Sequence, residues 1–349
     1  MKKLLPTSTA GSLAKPSWLA HPETLWSPWK LQGEELIEGK CDALRLTIQE
    51  QNLAGIDIVS DGEQTRQHFV TTFVEQLNGV DFSKRRSVRI RDLYDASVPS
   101  VVGPISRPKP VFVEDAKFLR RQTTKPIKWA LPGPMTIIDT LYDDHYKSRE
   151  QLAWEFAKIL NQEARELVDA GVDIIQFDEP AFNVFFDEVN DWGIAALEKA
   201  IEGLKCETAV HICYGYGIEA NTEWKKTLGS EWRQYESIFP KLQKSGIDII
   251  SLECHNSRVP MELLKLIRGE KIMVGAIDVA SNIIETPEEV AATIRKALQF
   301  VDADKLYPCT NCGMTPFSRN VAREKLIALT TGAEIVRHEL RASALASFK

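Results

Sequence analysis

Four residues of this chain belong to metal-binding types and stand at matching places in its hydrophobic pattern: His211, Cys213, Glu253 and Cys312. His211 and Cys213 lie one residue apart in the apolar run TAVHICYG (208–215). On a strand, both side chains project from one face and can meet one ion. Glu253 ends the run IDIISLECH (247–255), and Cys312 ends KLYPCTNCG (305–313). One imidazole, one carboxylate and two thiolates make a zinc-ligand set. The plainer alternative is a buried histidine and two buried cysteines acting as small apolar groups, with Glu253 a solvated strand end.

The ligand types point to a reaction. Two thiolates and a carboxylate leave Zn²⁺ with a formal charge of about −1, which makes it a poor Lewis acid. Such a centre suits holding a substrate thiol as a reactive thiolate rather than activating water. A free thiol with a pKa near ~8.5 is mostly protonated at neutral pH, and coordination removes the proton while leaving a nucleophilic sulfur. Alkyl transfer to sulfur follows. Cys309 and Cys312 also form C-x-x-C, a pattern of redox pairs and zinc knuckles. Cys254 is the one further cysteine nearby and faces away from Glu253 on its strand, so Cys254 and Cys309 are assigned to packing.

For these side chains to converge, their strands must run side by side. Eight apolar runs that end in polar or glycine residues predict buried parallel strands: 4–12, 55–63, 127–134, 172–180, 208–215, 247–255, 271–278 and 305–313. Segments 34–53, 150–170, 192–205, 260–269 and 287–302 carry apolar residues at helical spacing and predict crossover helices. Eight such strands can close into a (β/α)₈ barrel, here a single domain spanning 1–349. An open doubly wound sheet is disfavoured because no G-x-G-x-x-G follows any of the runs. Residues 64–126 exceed one helix and its loops, and their β-prone VPSVVG and VFVEDA flank ISRPKP, which predicts an inserted hairpin or lid near the barrel mouth.

Barrel enzymes place their chemistry at the C-terminal ends of strands, and here those ends carry Ser12, Glu63, Asp178, Glu179, His211, Cys213, Glu253, Asp278 and Cys312. Any single acid in such a position can simply cap the next helix. Composition narrows the possible partners. The formal charge is −6, with hydrophobic residues at 44% and charged residues at 26%, and no basic stretch interleaves with aromatics. A soluble protein that does not bind nucleic acid is expected. The N-terminus MKKLLPTSTAGSLAKP has too short an apolar run for a signal-peptide core or a membrane span, so a cytoplasmic location is expected. There, six cysteines favour metal binding, nucleophilic chemistry or burial over disulfides.

The series TSTAGS (7–12), SDGEQTR (60–66), GPISRPKP (103–110), LPGPMTI (131–137), QFDEPAF (176–182), HICYG (211–215), ISLECHNSR (250–258) and TNCGM (310–314) resembles the catalytic domain of cobalamin-independent methionine synthase, over nearly the whole chain. The large N-terminal half of the full-length enzymes has no counterpart, so the chain looks like a short core form. The resemblance implies a barrel, Zn²⁺ held by His211, Cys213, Glu253 and Cys312, and homocysteine contacts from Ala10, Gly11, Ser12, Glu63 and Asp178. Glu63 and Asp178 could pair the substrate ammonium, and backbone N–H groups with the Ser12 hydroxyl could take its carboxylate.

On the methyl-donor side the chain departs from the folate-using pattern. Thr140 stands where a pterin-stacking tryptophan is expected, Ala280 where a proton-donating histidine is expected, and Val184 where an acid is expected. Replacement acids could come from Tyr142, His145 or His255. The resemblance therefore implies homocysteine methylation to methionine with an open donor: a corrinoid protein, a folate with an accessory protein, or another carrier. Methylation of a different thiol such as coenzyme M, or thiol binding without catalysis, are the competing readings.

Overall fold

The computed structural model describes residues 3–346. At its centre is a parallel sheet, and a smaller sheet is built on a long hairpin. In chain order the strands are β1 (Asn78–Ile90), β2 (Tyr94–Ser106), β3 (Lys128–Pro132), β4 (Tyr142–Asp143), β5 (Ile174–Asp178), β6 (Glu207–Ile212), β7 (Ile249–Glu253), β8 (Lys271–Ile277) and β9 (Leu306–Thr310). The large sheet runs β3-β5-β6-β7-β8-β9, all parallel. These strands are buried almost throughout, as a parallel sheet covered on both faces requires. Register sets the functional end: Asp178 pairs with His211, and Glu253 with Gly275.

Two apolar layers flank the sheet. One holds most of the buried hydrophobics and the packed helices. The other is a small cluster of Ile58, Ile174, Ala209, Ile249, Met273, Tyr307 and Cys309. Cys309 is thus apolar packing, while Cys254 belongs to the helix-side layer. The helices Gly33–Ala54, Arg149–Asp169 and Pro287–Ala297 match the expected crossovers. Ser148 caps the second by accepting from the Gln151 N–H at 3.2 Å. Thr286 and Glu289 form a reciprocal box on the third. No helix of the described residues is long and apolar enough to cross a membrane.

The structure corrects several expectations. Segments 4–12 and 55–63 are not regular strands: the only ladder contact there is an isolated parallel bridge, Val59 to Ile127. Several of their backbone groups go to side chains. Gln51 accepts from the Ser60 N–H and donates to the Ser60 carbonyl, Asp57 accepts from the Thr7 N–H, and Thr310 accepts from the Ala10 N–H. Gly62 and Glu63 then turn the chain at positive φ, +57° each. Even so, Ile58 donates to the Thr7 carbonyl, Ser8 to that of Pro308 and Lys128 to that of Val59. These bonds lie at both outer edges of the large sheet.

In the stretch read as helix 260–269, Met261–Leu266 forms 3₁₀ turns, confined between Pro260 and Gly269, whose φ is +104°. Within 192–205 the α-helix is limited to Ile194–Ile201, entered through a π turn at Val189–Gly193. The final helix Arg319–Ala346, which packs on the first crossover helix and on Pro287–Ala297, has no counterpart among the expected elements.

The insertion does contain a hairpin, but its partners differ from those expected. VPSVVG lies in β2 and pairs with β1, whereas VFVEDA runs into the helix Val113–Arg120. The cause is a tertiary contact: the buried Glu163 carboxylate accepts the N–H groups of Val111 and Phe112, which caps a helix start. On its other side β2 pairs parallel with β4, Ser100 to Tyr142 and Val101 to Asp143. The loop after β8 is fixed by a buried pair, Lys325 Nζ to the Glu285 carboxylate at 3.0 Å, and Glu285 also accepts from the Asp278 N–H at 2.8 Å.

Candidate active site

Parallel register brings the chemistry to one end of the sheet. His211 and Cys213, at the end of β6 and just beyond it, meet Cys312, just beyond β9. Their ligand atoms lie within 4.8 Å of one another, and all three residues are buried. The Cys213 and Cys312 sulfurs are 3.2 Å apart and not disulfide-bonded. The Cys312 hydrogen bond, which outweighs burial, together with His211 and the Gly215 N–H at 3.3 Å, holds the Cys213 thiol well below its ordinary range.

His211 is oriented from behind. Its Nδ1 shares a hydrogen bond of 2.8 Å with the Ser251 hydroxyl of β7, while its Nε2 is buried without a protein partner. A buried ring nitrogen with no partner is costly, and coordination of a cation resolves it. One imidazole nitrogen and two sulfurs fit a soft divalent ion such as Zn²⁺.

Glu253 stands apart from this group. Its Oε1 accepts from Lys225 Nζ at 2.8 Å and its Oε2 from the Tyr214 N–H at 3.2 Å, with both charged side chains buried. Lys225 lies on the helix Glu219–Thr227, and no feature of sequence spacing singles it out. Burial raises the Glu253 carboxyl, and the Lys225 ammonium opposes that shift.

Next to the cluster is a cavity of about 70 Å³ lined by Ala10, Gly11, Glu63, Asp178, His211, Cys213, Cys312 and Gly313 among others. Ser12 sits just behind the lining, with its hydroxyl 3.5 Å from the Tyr216 hydroxyl, which does line the cavity. Glu63 is so close to the Gly11 backbone that a Cβ there would lie 3.1 Å from its carboxylate. Burial raises the Glu63 carboxyl to about 7 against the pull of Arg66, and Asp178 to about 6 against those of His211 and Gln176. Buried, underneutralised carboxyls of this kind attract a cationic group.

Beneath them a lysine organises the floor. Lys128 Nζ donates to the Thr9 carbonyl at 2.6 Å, to that of Ala10 at 3.2 Å and to Gln176. Gln176 in turn donates to Asp178 Oδ1 at 2.7 Å. Burial lowers the Lys128 ammonium to about 8. Glu179 has a purely local task. It accepts the N–H groups of Met135 and Thr136, each at 2.9 Å, and so caps the helix Pro134–Asp139. Gly133 is required beside it, since a Cβ there would come within 2.2 Å of the Glu179 carboxyl carbon.

The far wall consists of His68, Phe69, Arg91, Tyr94, Thr136 and Asp139, which the sequence did not single out, together with Thr140, which it did. His68 stacks on Trp26 at 4.6 Å, and burial pushes its pKa down to about 3, so the ring is neutral. Burial raises the Asp139 carboxyl to about 6 against the nearby Arg91 and Arg149. Of the suggested substitute acids none lines the cavity. Tyr142 pairs in the small sheet, His145 packs on Tyr146, and His255 shares a hydrogen bond with Thr293. Val184 and Ala280 also lie outside the lining, and Asp278 accepts from the Ala280 N–H at 2.8 Å.

Comparison with known proteins bears on this geometry. The family model described as cobalamin-independent synthase, catalytic domain, matches residues 5–334. A methionine synthase of Sulfurisphaera tokodaii is 34% identical over 97% of this chain and 94% of its own length. That of Saccharolobus solfataricus is 33% identical over 97% and 96%. A B12-independent methionine synthase from Shewanella sp. W3-18-1, solved in complex with selenomethionine, superposes with a TM-score of 0.96 at 84% identity, covering 97% of this chain and 100% of that one.

The Ser251 hydroxyl sets the orientation of the His211 ring, so its loss is expected to act on metal affinity rather than on folding. Ser251→Ala should weaken the binding of a soft divalent cation by about 10–100-fold. Competition with a chromophoric chelator measures this; unchanged affinity would assign Ser251 to packing alone.

Proposed function

Since the chain belongs to the cobalamin-independent methionine synthase family, a family of methyltransferases, we propose that it methylates homocysteine to methionine at a zinc centre. The observation that carries this reading is the convergence of His211, Cys213 and Cys312, with a partnerless Nε2, beside the carboxyls of Glu63 and Asp178. We take the chain as one catalytic domain. We also take the hydrogen bonds of segments 7–9 and 56–60 at both edges of the large sheet to close it into an eight-fold barrel.

Bound among these residues, Zn²⁺ would supply the acidity that makes a thiol a thiolate at neutral pH. His211, Cys213 and Cys312 would hold it, and Glu253 would complete the set on leaving Lys225. Glu63 and Asp178 pair the substrate ammonium. Ala10, Gly11 and Ser12 receive its carboxylate, with Lys128 holding the first of these segments in place through two carbonyls. The sulfur is thereby presented to the far wall, from which the methyl group must arrive. Formation of methionine by the zinc-loaded protein, offered homocysteine with methyl-folate, methylcobalamin or a cell extract in turn, tests the reading. Coenzyme M in place of homocysteine tests the alternative thiol.

About one Zn²⁺ per chain is expected. Cys312→Ser should lose it, whereas Cys309→Ser, altered only in the inner apolar layer, should keep it. Elemental analysis of both variants decides the assignment.

Substrate affinity should depend on pH with a fixed sign. Both carboxyls are raised, so the charged forms that pair an ammonium exist above their pKa values and are lost as pH falls, Glu63 through about 7 and then Asp178 through about 6. Binding of L-methionine, which has the same amino-acid end and no titrating thiol, should weaken between about pH 8 and about pH 5. Glu63→Gln and Asp178→Asn should each cost ~1.5–3 kcal/mol of that affinity without releasing zinc. Calorimetric titration reads both effects; pH-independent binding to the unaltered protein would point to a different cationic partner.

With methyl-folate as sole donor and no second protein, turnover is expected to be slow or absent. Thr140 offers no stacking face, a loss of on the order of 1 kcal/mol. Ala280 offers no proton, a loss of roughly 10²–10⁴-fold in rate. Val184 offers no carboxylate. Steady-state rates near ~10 s⁻¹ from the purified protein alone would overturn this expectation.

A further inference from the structure

The hairpin is built in two parts. Its inner part belongs to the body of the protein: β2 pairs with β4, and the Ile105 N–H donates to the Tyr146 hydroxyl at 3.0 Å. Between the two parts the register breaks. Asp81 pairs with Ser100 and Arg85 with Pro99, so the residues between Asp81 and Arg85 have no counterparts on β2. Asp81 itself satisfies this bulge by accepting the N–H groups of Ser83 at 2.9 Å and Lys84 at 3.2 Å. A bulge closed by its own side chain frees the ladder to bend at that point.

Beyond the bulge, Arg85–Ile90 and Tyr94–Ser97 form an outer part that is largely exposed along its length. Its end is not. Ile90 is 4% exposed, and Ile90, Arg91 and Tyr94 all line the cavity that holds the metal-binding cluster. The turn itself carries two non-glycine residues at positive φ, Arg91 at +47° and Asp92 at +56°. One hydrogen bond ties it down: the Arg91 N–H donates to Asp139 Oδ2 at 2.9 Å, at the end of the helix Pro134–Asp139. Arg86 over the Tyr142 ring, at 6.0 Å, is a looser contact.

We propose that the outer part of the hairpin is a specificity-determining flap, hinged at the Asp81–Arg85 bulge and latched by Arg91 on Asp139, which selects by size the molecules that reach the Cys213–Cys312 cluster. Closed, it forms one wall of the cavity beside the cluster, with Ile90, Arg91 and Tyr94 in the lining. Lifting it widens the entrance for a bulky molecule, and Arg91 and Tyr94 form the wall against which a donor is held once it closes. A hydrogen bond to a charged acceptor shifts an opening equilibrium by on the order of tenfold to a hundredfold. The latch controls access on that scale. The proposal rests on the reading that this cavity is the reaction chamber, but its test needs no turnover.

The test compares alkylation of Cys213 and Cys312 by N-ethylmaleimide and by fluorescein maleimide, the same reactive group on a small and a large body. The full chain is stripped of metal with a chelator, and each cysteine is followed by peptide mass spectrometry. In the unaltered protein the large reagent is expected to react at least about tenfold more slowly than the small one at these two positions. Asp139→Ala should raise the rate for the large reagent by about tenfold or more, whereas Asp139→Asn, which keeps a neutral acceptor oxygen, should fall between that rate and the unaltered one. Replacing Arg86–Val98 by a two-residue Asn-Gly turn should abolish the size discrimination, and it stands in for Asp139→Ala should that variant fold poorly. Equal reactivity toward both reagents in the unaltered protein, or discrimination undiminished in the shortened hairpin, overturns the proposal. Absence of methionine formation with every donor would instead overturn the methyltransferase reading and leave these rates intact.

Discussion

A buried ammonium sits under the site, and the site is arranged around it. Lys128 has no carboxylate in direct contact; it is satisfied by the carbonyls of Thr9 and Ala10 and by the Gln176 amide oxygen. A charged group in such a place must be fully hydrogen-bonded or the fold does not tolerate it. Two consequences follow. The N-terminal segment must bring two successive carbonyls toward one point, which a regular ladder does not do, and this is part of why residues 4–12 are not an ordinary strand. Gln176, held through its oxygen by Lys128, turns its amide N–H toward Asp178 and fixes that carboxyl at the cavity wall. One interior charge thus sets both ends of an amino-acid pocket, the backbone at Ala10 and the acid at Asp178.

The electrostatics of the opposite wall follow a different rule. Around the sulfurs the buried carboxylate is Glu253, and Lys225 is its buried counter-charge. Loss of a cationic partner from a buried carboxylate costs several kcal/mol unless another cation replaces it. Glu253 therefore needs a cation beside it, and in this structure Lys225 is that cation.

How far the sequence reveals this arrangement depends on the range of the interaction concerned. His211, Cys213 and Cys312 were legible because a period of two residues and a parallel sheet place strand-end side chains together, a rule that needs no knowledge of distant packing. Strands β3 and β5 to β9 were legible for the same reason, as uninterrupted apolar runs. The partner of VPSVVG was not. The segment Asn78–Ile90 is rich in Arg, Lys, Asp and Ser, and its pairing is imposed by tertiary context rather than by apolar alternation. The helix start at Val113 likewise depends on Glu163, fifty residues downstream. Lys225 and Asp139 act through neighbours that only the folded chain supplies, and neither stands in a recognisable spacing.

The donor side shows what such distant neighbours do to chemistry. The family resemblance implied that an acid is missing at Ala280 and offered Tyr142, His145 and His255 as replacements, yet all three lie outside the cavity lining. The imidazole that does line it, His68, is held neutral by burial against Trp26, and a neutral ring is a weak acid. Asp139 is different. Its carboxyl, raised to about 6 by burial, is partly protonated near neutral pH, and it is the group on which the hairpin turn rests. The two roles compete, because a protonated carboxyl is a weaker acceptor for the Arg91 N–H than a carboxylate. The cavity wall at the hairpin turn therefore rests on an acid whose own protonation weakens the contact that holds it.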